Sequence, residues 1–200
     1  MIRVRARNPR VSGHKSNRVS QLADPRVGRT RALLAQALVA LLSRRSYVRI
    51  RVSDIARRAG IGRATFYAHF ASKDALLRSE IERVVLPMLV EVPGDPGMFD
   101  CTRFFAHVHS ARAIYLSLMA APARAVTEAI VRDVLEPHIA RPLAARAAAN
   151  AAHPQAGYLA RFVAGTMLLL IGWSLEQTEP PPPAQLQAAF RRLVGPALSG

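Results

Sequence analysis

Two hundred residues, half of them apolar, can bury a sizeable core and do not fit a disordered chain. Ala and Leu abound while runs of alternating Val, Ile and Thr are scarce, so the composition favours helix and gives no case for a sheet. The formal charge of +15 is uneven: residues 1–86 carry 19 Lys/Arg against 5 Asp/Glu and residues 87–200 carry 9 against 8, as expected when one segment faces a polyanion.

In chain order, residues 1–23 hold Arg3, Arg5, Arg7, Arg10, Lys15 and Arg18 with no acid and no apolar period. They read as a disordered basic arm, either a phosphate- or groove-contacting extension or a stretch without a role. No apolar run follows, so the arm is not a secretory signal. Asp24-Pro25 reads as N-cap and first residue of a helix. Leu34, Leu38, Leu41 and Leu42 then recur at helical spacing to about Ser43.

The segment from Ile50 to Phe70 predicts two short helices, about 53–59 and 63–70, around Gly60, which suits a left-handed C-cap. Ser53 is the expected N-cap of the first and Gly62 of the second. Two short helices joined through a glycine outline a helix-turn-helix. In the second helix Phe66 and Phe70 are four apart and share a face. With Ile55, Ala56, Ala59 and Ile61 they fill a small core. The other face carries Ala64, Thr65, Tyr67 and Ala68, with Arg63 and His69 on its flanks. Small methyls and hydrogen-bonding groups of this kind suit base edges and phosphates in a major groove. Ser72 then caps a helix of about 73–86, with Lys73 at its start, where an ammonium and free backbone N–H groups converge on a phosphate.

This stretch resembles the DNA-binding signature of the TetR family. Ile55-Ala-x-x-Ala-Gly60, Thr65-Phe-Tyr-x-His-Phe70 and Ser72-Lys-x-x-Leu-Leu77 follow the family pattern in order and spacing, and the match extends over about residues 26–77. The resemblance implies that Arg63, Ala64 and Thr65 contact bases, that Tyr67, His69 and Lys73 grip the backbone, and that Ser53 is a further phosphate contact. Two positions depart from the family, which often has Thr where Arg51 stands and Ser where Gly62 stands. Arg51 has no side-chain acceptor for a cap, and Gly62 caps only modestly.

Val92-Pro-Gly-Asp-Pro-Gly97 is a turn-rich connector. Helices are predicted at about 100–119, 123–135, 142–150, 155–177 and 184–198, punctuated by Pro122, Pro137, Pro142 and Pro154, with Pro180–Pro183 as a stiff spacer. Phe162–Leu175 is apolar but short for a membrane span, and reads as a buried helix. With Leu168, Leu169, Leu170, Ile171 and Trp173 around its circumference, it has one face for the subunit and one for a partner. Leu186, Phe190, Leu193 and Val194 form a stripe on the last helix.

The expected architecture is therefore all-α: a basic arm (1–23), a helix-turn-helix domain (24–71) and a helical dimerisation and ligand-binding domain (72–200). The family implies homodimers built on the last two helices, a pseudo-palindromic operator in double-stranded DNA and an unidentified small-molecule effector. Arg103, His107, Tyr115 and Trp173 are the candidates for polar groups in an apolar effector cavity. His107 and His109 point about 200° apart on a helix, which argues against a metal site. No nucleophile–base set or phosphate loop is present. No cofactor or membrane is implied, and the lone Cys101 fits a reducing cytoplasm. The leading function is a repressor released by ligand. Two alternatives stand beside it, a basic protein that coats DNA without sequence preference and, ranked last, an enzyme of the helical part.

Overall fold

A computed structural model describes residues 25–149 and 156–199. The basic arm, the Asp24 cap and the Pro154 break lie outside the described residues. Helix α1 runs from Pro25 to Leu42 and buries Leu34, Leu38, Leu41 and Leu42. After a 3-10 turn at Tyr47–Arg49 come α2 (Val52–Arg58), α3 (Arg63–His69) and α4 (Lys73–Val84). A second 3-10 turn, Leu86–Met88, accommodates Pro87.

The chain then forms a small hairpin absent from the sequence expectation. Strands β1 (Val90–Glu91) and β2 (Phe99–Asp100) pair antiparallel, with Val90 opposite Asp100 and Glu91 opposite Phe99. Strands this short have no room for a pattern of alternation to be read. Gly94 and Gly97, at φ +79° and +85°, turn the connector back on itself.

Five helices complete the fold: α5 (Thr102–Ser110), α6 (Arg112–Met119), α7 (Arg124–Ala149), α8 (Ala156–Glu176) and α9 (Pro183–Ser199). Two expectations need correction. The helix expected over 100–119 is broken at Ala111, whose φ −105° and ψ 27° leave the helical region. The two helices expected on either side of Pro137 and Pro142 are one, α7, with both prolines inside it.

α7 and α8 are the most extensively packed pair of helices. By length and composition α8 could cross a membrane, but 61% of its apolar window is buried within the fold. The stripe expected on α9 is also shifted: Leu186, Phe190, Val194 and Leu198 are buried, whereas Leu193 is exposed. The buried residues form one continuous cluster, from Leu34 on α1 to Leu198 on α9. The helix-turn-helix and the C-terminal helices thus share a core.

Candidate nucleic-acid interface

Arg51 precedes α2 in extended conformation and has no acceptor to offer. The cap is made from the other side, since the Asp54 carboxylate accepts the Arg51 N–H at 3.0 Å and the Arg57 guanidinium at 2.7 Å. The Arg51 N–H, and then the charges of Arg57, Arg45 and Arg51, hold the Asp54 carboxyl below the usual range. Ser53 is therefore not the N-cap. It stands, half-buried, in the first turn of α2.

α2 ends as the sequence predicts. Gly60 takes φ +70°. Its N–H bonds the Arg57 carbonyl at 3.2 Å, while the Ile61 N–H reaches the Ala56 carbonyl at 3.0 Å. These two bonds make a Schellman motif and set the angle at which the chain enters α3.

α3 is held from one side only. Phe66 and Phe70 are buried with ring centres 6.1 Å apart. Arg31 of α1 lies over the Phe70 ring at 4.7 Å and reaches Ser79 Oγ on α4 at 3.3 Å. Arg63, Ala64, Thr65, Tyr67 and Ala68 are exposed, and His69 is half-buried. Tyr67 is 49% exposed, its ring resting edge-on against Phe66 at 5.5 Å. Residues 25–72 contain ten arginines and one acid, Asp54. Of these arginines all but the half-buried Arg31 are exposed.

Ser72 caps α4, its Oγ accepting the Ala75 N–H at 3.0 Å. Lys73 turns inward. Its ammonium donates to the carbonyls of Tyr47 and Ile50, so two of its three N–H bonds are used within the fold. Burial pushes its pKa down. Lys73 is thus a brace between the 3-10 turn and α4, a role its place in the sequence motif does not reveal.

The four candidates for the effector cavity separate. His107 and Tyr115 line an apolar cavity of about 190 Å³ whose wall also includes Leu38, Val39 and Leu42 of α1. Arg103 and Trp173 are exposed and are not among the lining residues. α5 buries Phe104, Phe105 and Val108 and turns Arg103 outward, and α8 does the same with Trp173. Thr127, buried in the wall, was not anticipated, because a lone threonine within a helix carries no motif.

A family model described as bacterial regulatory proteins, tetR family, matches residues 34–79, from the middle of α1 to the middle of α4. The chain is 46% identical over 61 residues to YxbF, described as an uncharacterized HTH-type transcriptional regulator, of Bacillus subtilis; this covers 30% of the chain and 16% of YxbF. It is 37% identical over 97 residues to the HTH-type transcriptional regulator EthR of Mycobacterium tuberculosis, covering 43% of the chain and 45% of EthR. The match thus spans less than half the length of either relative. A TetR transcriptional regulator from Streptococcus agalactiae 2603V has the same fold, with a TM-score of 0.55 at 18% identity over 88% of this chain and 98% of that one.

Proposed function

We propose that this chain, whose residues 34–79 match the tetR family model, is a TetR-family regulator: a dimeric, sequence-specific DNA-binding repressor of transcription released by a small molecule. The observation that carries this reading is the one-sided burial of α3. Its phenylalanines anchor it, and Arg63, Ala64, Thr65 and Tyr67 stand free within an arginine-rich segment. Major-groove recognition asks for such a helix, rigid behind and hydrogen-bonding in front.

In this reading Arg63, Ala64 and Thr65 meet base edges, while Tyr67 and His69 bind phosphates. Ser53 adds a phosphate contact, and Lys73 keeps one N–H bond for the same purpose. Residues 24–71 read the DNA and residues 72–200 dimerise and take the effector. Two recognition helices then enter successive major grooves, roughly 34 Å apart on the duplex. Ligand favours a spacing that fits DNA less well, by as much as its affinities for the two states differ. The protein works in the cytoplasm and catalyses no reaction.

Selection of bound duplexes from a random pool, followed by titration of the selected site with Arg63→Ala and Tyr67→Ala, tests the reading. Each substitution is expected to weaken binding about tenfold, which corresponds to about 1.4 kcal/mol. Undiminished affinity in both variants refutes it. Enrichment of no sequence, with random DNA competing equally, favours a coating protein instead.

A further inference from the structure

The apolar cavity between α1, α4 and the C-terminal helices carries a chemical signature of its own. Leu38, Ile81, Leu135 and Ile171 supply aliphatic wall, and Phe104 and Tyr115 supply rings. The Tyr115 ring stands edge-on to Phe104 at 6.3 Å and to His107 at 5.8 Å, which gives one side of the cavity an aromatic lining.

The polar groups are few. Thr127 is 2% exposed, and its Oγ1 has no hydrogen-bond partner. A helical threonine commonly bonds the carbonyl four residues back. This one does not, and a buried hydroxyl without a partner costs free energy until something bonds it. Burial keeps His107 neutral by lowering its pKa, and keeps the Tyr115 phenol protonated by raising its pKa. Two lining residues are charged, Glu80 and Arg83, and they pair with each other at 2.5 Å. A charged ligand would lose its hydration here and find no unpaired counter-charge among the lining residues. An apolar cavity of about 150 Å³ holds benzene, so about 190 Å³ suits one aromatic ring with a short alkyl chain.

Resting on the reading of the chain as an effector-responsive regulator, we propose that the cavity takes an uncharged aromatic molecule with a single hydroxyl group, an alkylphenol in class, whose hydroxyl bonds Thr127 Oγ1. The aromatic body replaces water against the apolar wall, and its polar group meets the buried, unpartnered hydroxyl of Thr127, whereas the other two such hydroxyls among the described residues, Ser46 and Ser117, are not among the lining residues.

Calorimetric titration of the full chain without DNA, using 4-propylphenol, propylbenzene and 4-propylbenzoate, tests this. The phenol is expected to bind about tenfold more tightly than propylbenzene, and the benzoate not measurably. Thr127→Val should bring the phenol down to the level of propylbenzene and leave propylbenzene unchanged, whereas Thr127→Ser should keep the preference. Binding of benzoate as tight as that of phenol, an equal loss of both neutral probes on Thr127→Val, or no binding of any probe overturns the proposal. With no DNA present, such a failure is separate from a failure of DNA recognition, which the duplex selection reads on its own.

Discussion

The ammonium of Lys73 lies 4.3 Å from the centre of the Tyr47 ring and donates to the Tyr47 carbonyl at 2.9 Å and to that of Ile50 at 3.0 Å. The Tyr47 hydroxyl in turn donates to the carboxylate of Asp74, the next residue of α4. Two adjacent residues of α4 thus hold one buried tyrosine, by its ring face and carbonyl and by its hydroxyl. The 3-10 turn that carries Tyr47 leads into α2, so this clasp fixes the helix-turn-helix against α4.

Lys73→Met separates bracing from phosphate binding. It takes one of two donors from the Tyr47 carbonyl, which keeps the Ile50 N–H at 3.1 Å, removes the donor of the Ile50 carbonyl, and takes a cation from an aromatic face, at a cost of about 2 kcal/mol. Urea unfolding without DNA should show that loss. Unchanged stability together with weaker DNA binding would mean that the ammonium serves the duplex and not the fold.

The same clasp predicts an alkaline limit. Burial first, and then the Asp74 carboxylate, raise the Tyr47 phenol far above its ordinary value of 10.0. In the unfolded chain the phenol ionises near 10, and in the folded chain it stays protonated. Its contribution to stability is complete below that pH and is lost as pH rises beyond it, at about 1.4 kcal/mol per pH unit. Burial likewise raises the Cys101 thiol and the Tyr115 phenol, so the comparison is with Tyr47→Phe, which keeps both. Between about pH 9 and about pH 11 the wild type should lose about 1 kcal/mol more than the variant. Parallel loss in the two proteins would remove Tyr47 as the cause.

Two glycines at positive φ are expected to respond differently to alanine. At Gly60, φ +70°, an added Cβ meets nothing within 4 Å, so Gly60→Ala pays only the left-handed penalty of about 1–2 kcal/mol. At Gly97, φ +85°, a Cβ would stand 2.8 Å from Cγ of Leu143, a buried residue of α7. Gly97→Ala must move that side chain as well, for a total of roughly 3 kcal/mol or more. Equal shifts in the urea midpoints of the two variants would contradict the seating of the hairpin on α7.

Much of the helix-turn-helix was legible because its signals are local: Gly60 at the turn, Phe66 and Phe70 one turn apart, Ser72 before α4. The C-terminal helices were less so. A proline inside a helix costs about 3 kcal/mol, and by that rule Pro137 follows the end of one helix and Pro142 begins the next. Leu135, Ile139 and Leu143 are nevertheless all buried by one continuous α7, and tertiary packing of this kind overrides a local penalty. The break at Ala111 has no glycine or proline to announce it. Among the cavity candidates, side-chain chemistry suggested four residues, but the facing of each helix decided between them. His107 and Tyr115 face inward and Arg103 and Trp173 outward. The inward turn of Lys73 was likewise invisible, since its partners are main-chain carbonyls 26 and 23 residues earlier.

α8 leaves one more relationship to test. Tyr158, Phe162, Leu169 and Trp173 are spaced four, seven and four residues apart, which puts them on one side of the helix. All four are exposed, Leu169 at 60% and Trp173 at 46%, and Leu193 of α9 is exposed at 51%. The opposite side of α8 is spent on the core, where Val163, Met167 and Ile171 are buried. An apolar stripe left outside a filled core is what a two-fold helix-on-helix interface requires. Leu169→Asp places a charge where a partner's apolar side chains would bury it, yet costs the single subunit little because the position is already open to solvent. The variant is expected to sediment as a monomer without detergent, with its helical circular dichroism and urea midpoint near those of the separated wild-type subunit. DNA affinity should fall with it, since a monomer engages one half-site where a dimer engages two. A variant that stays dimeric would move the interface off this stripe, and a variant that unfolds would mean that Leu169 belongs to the core.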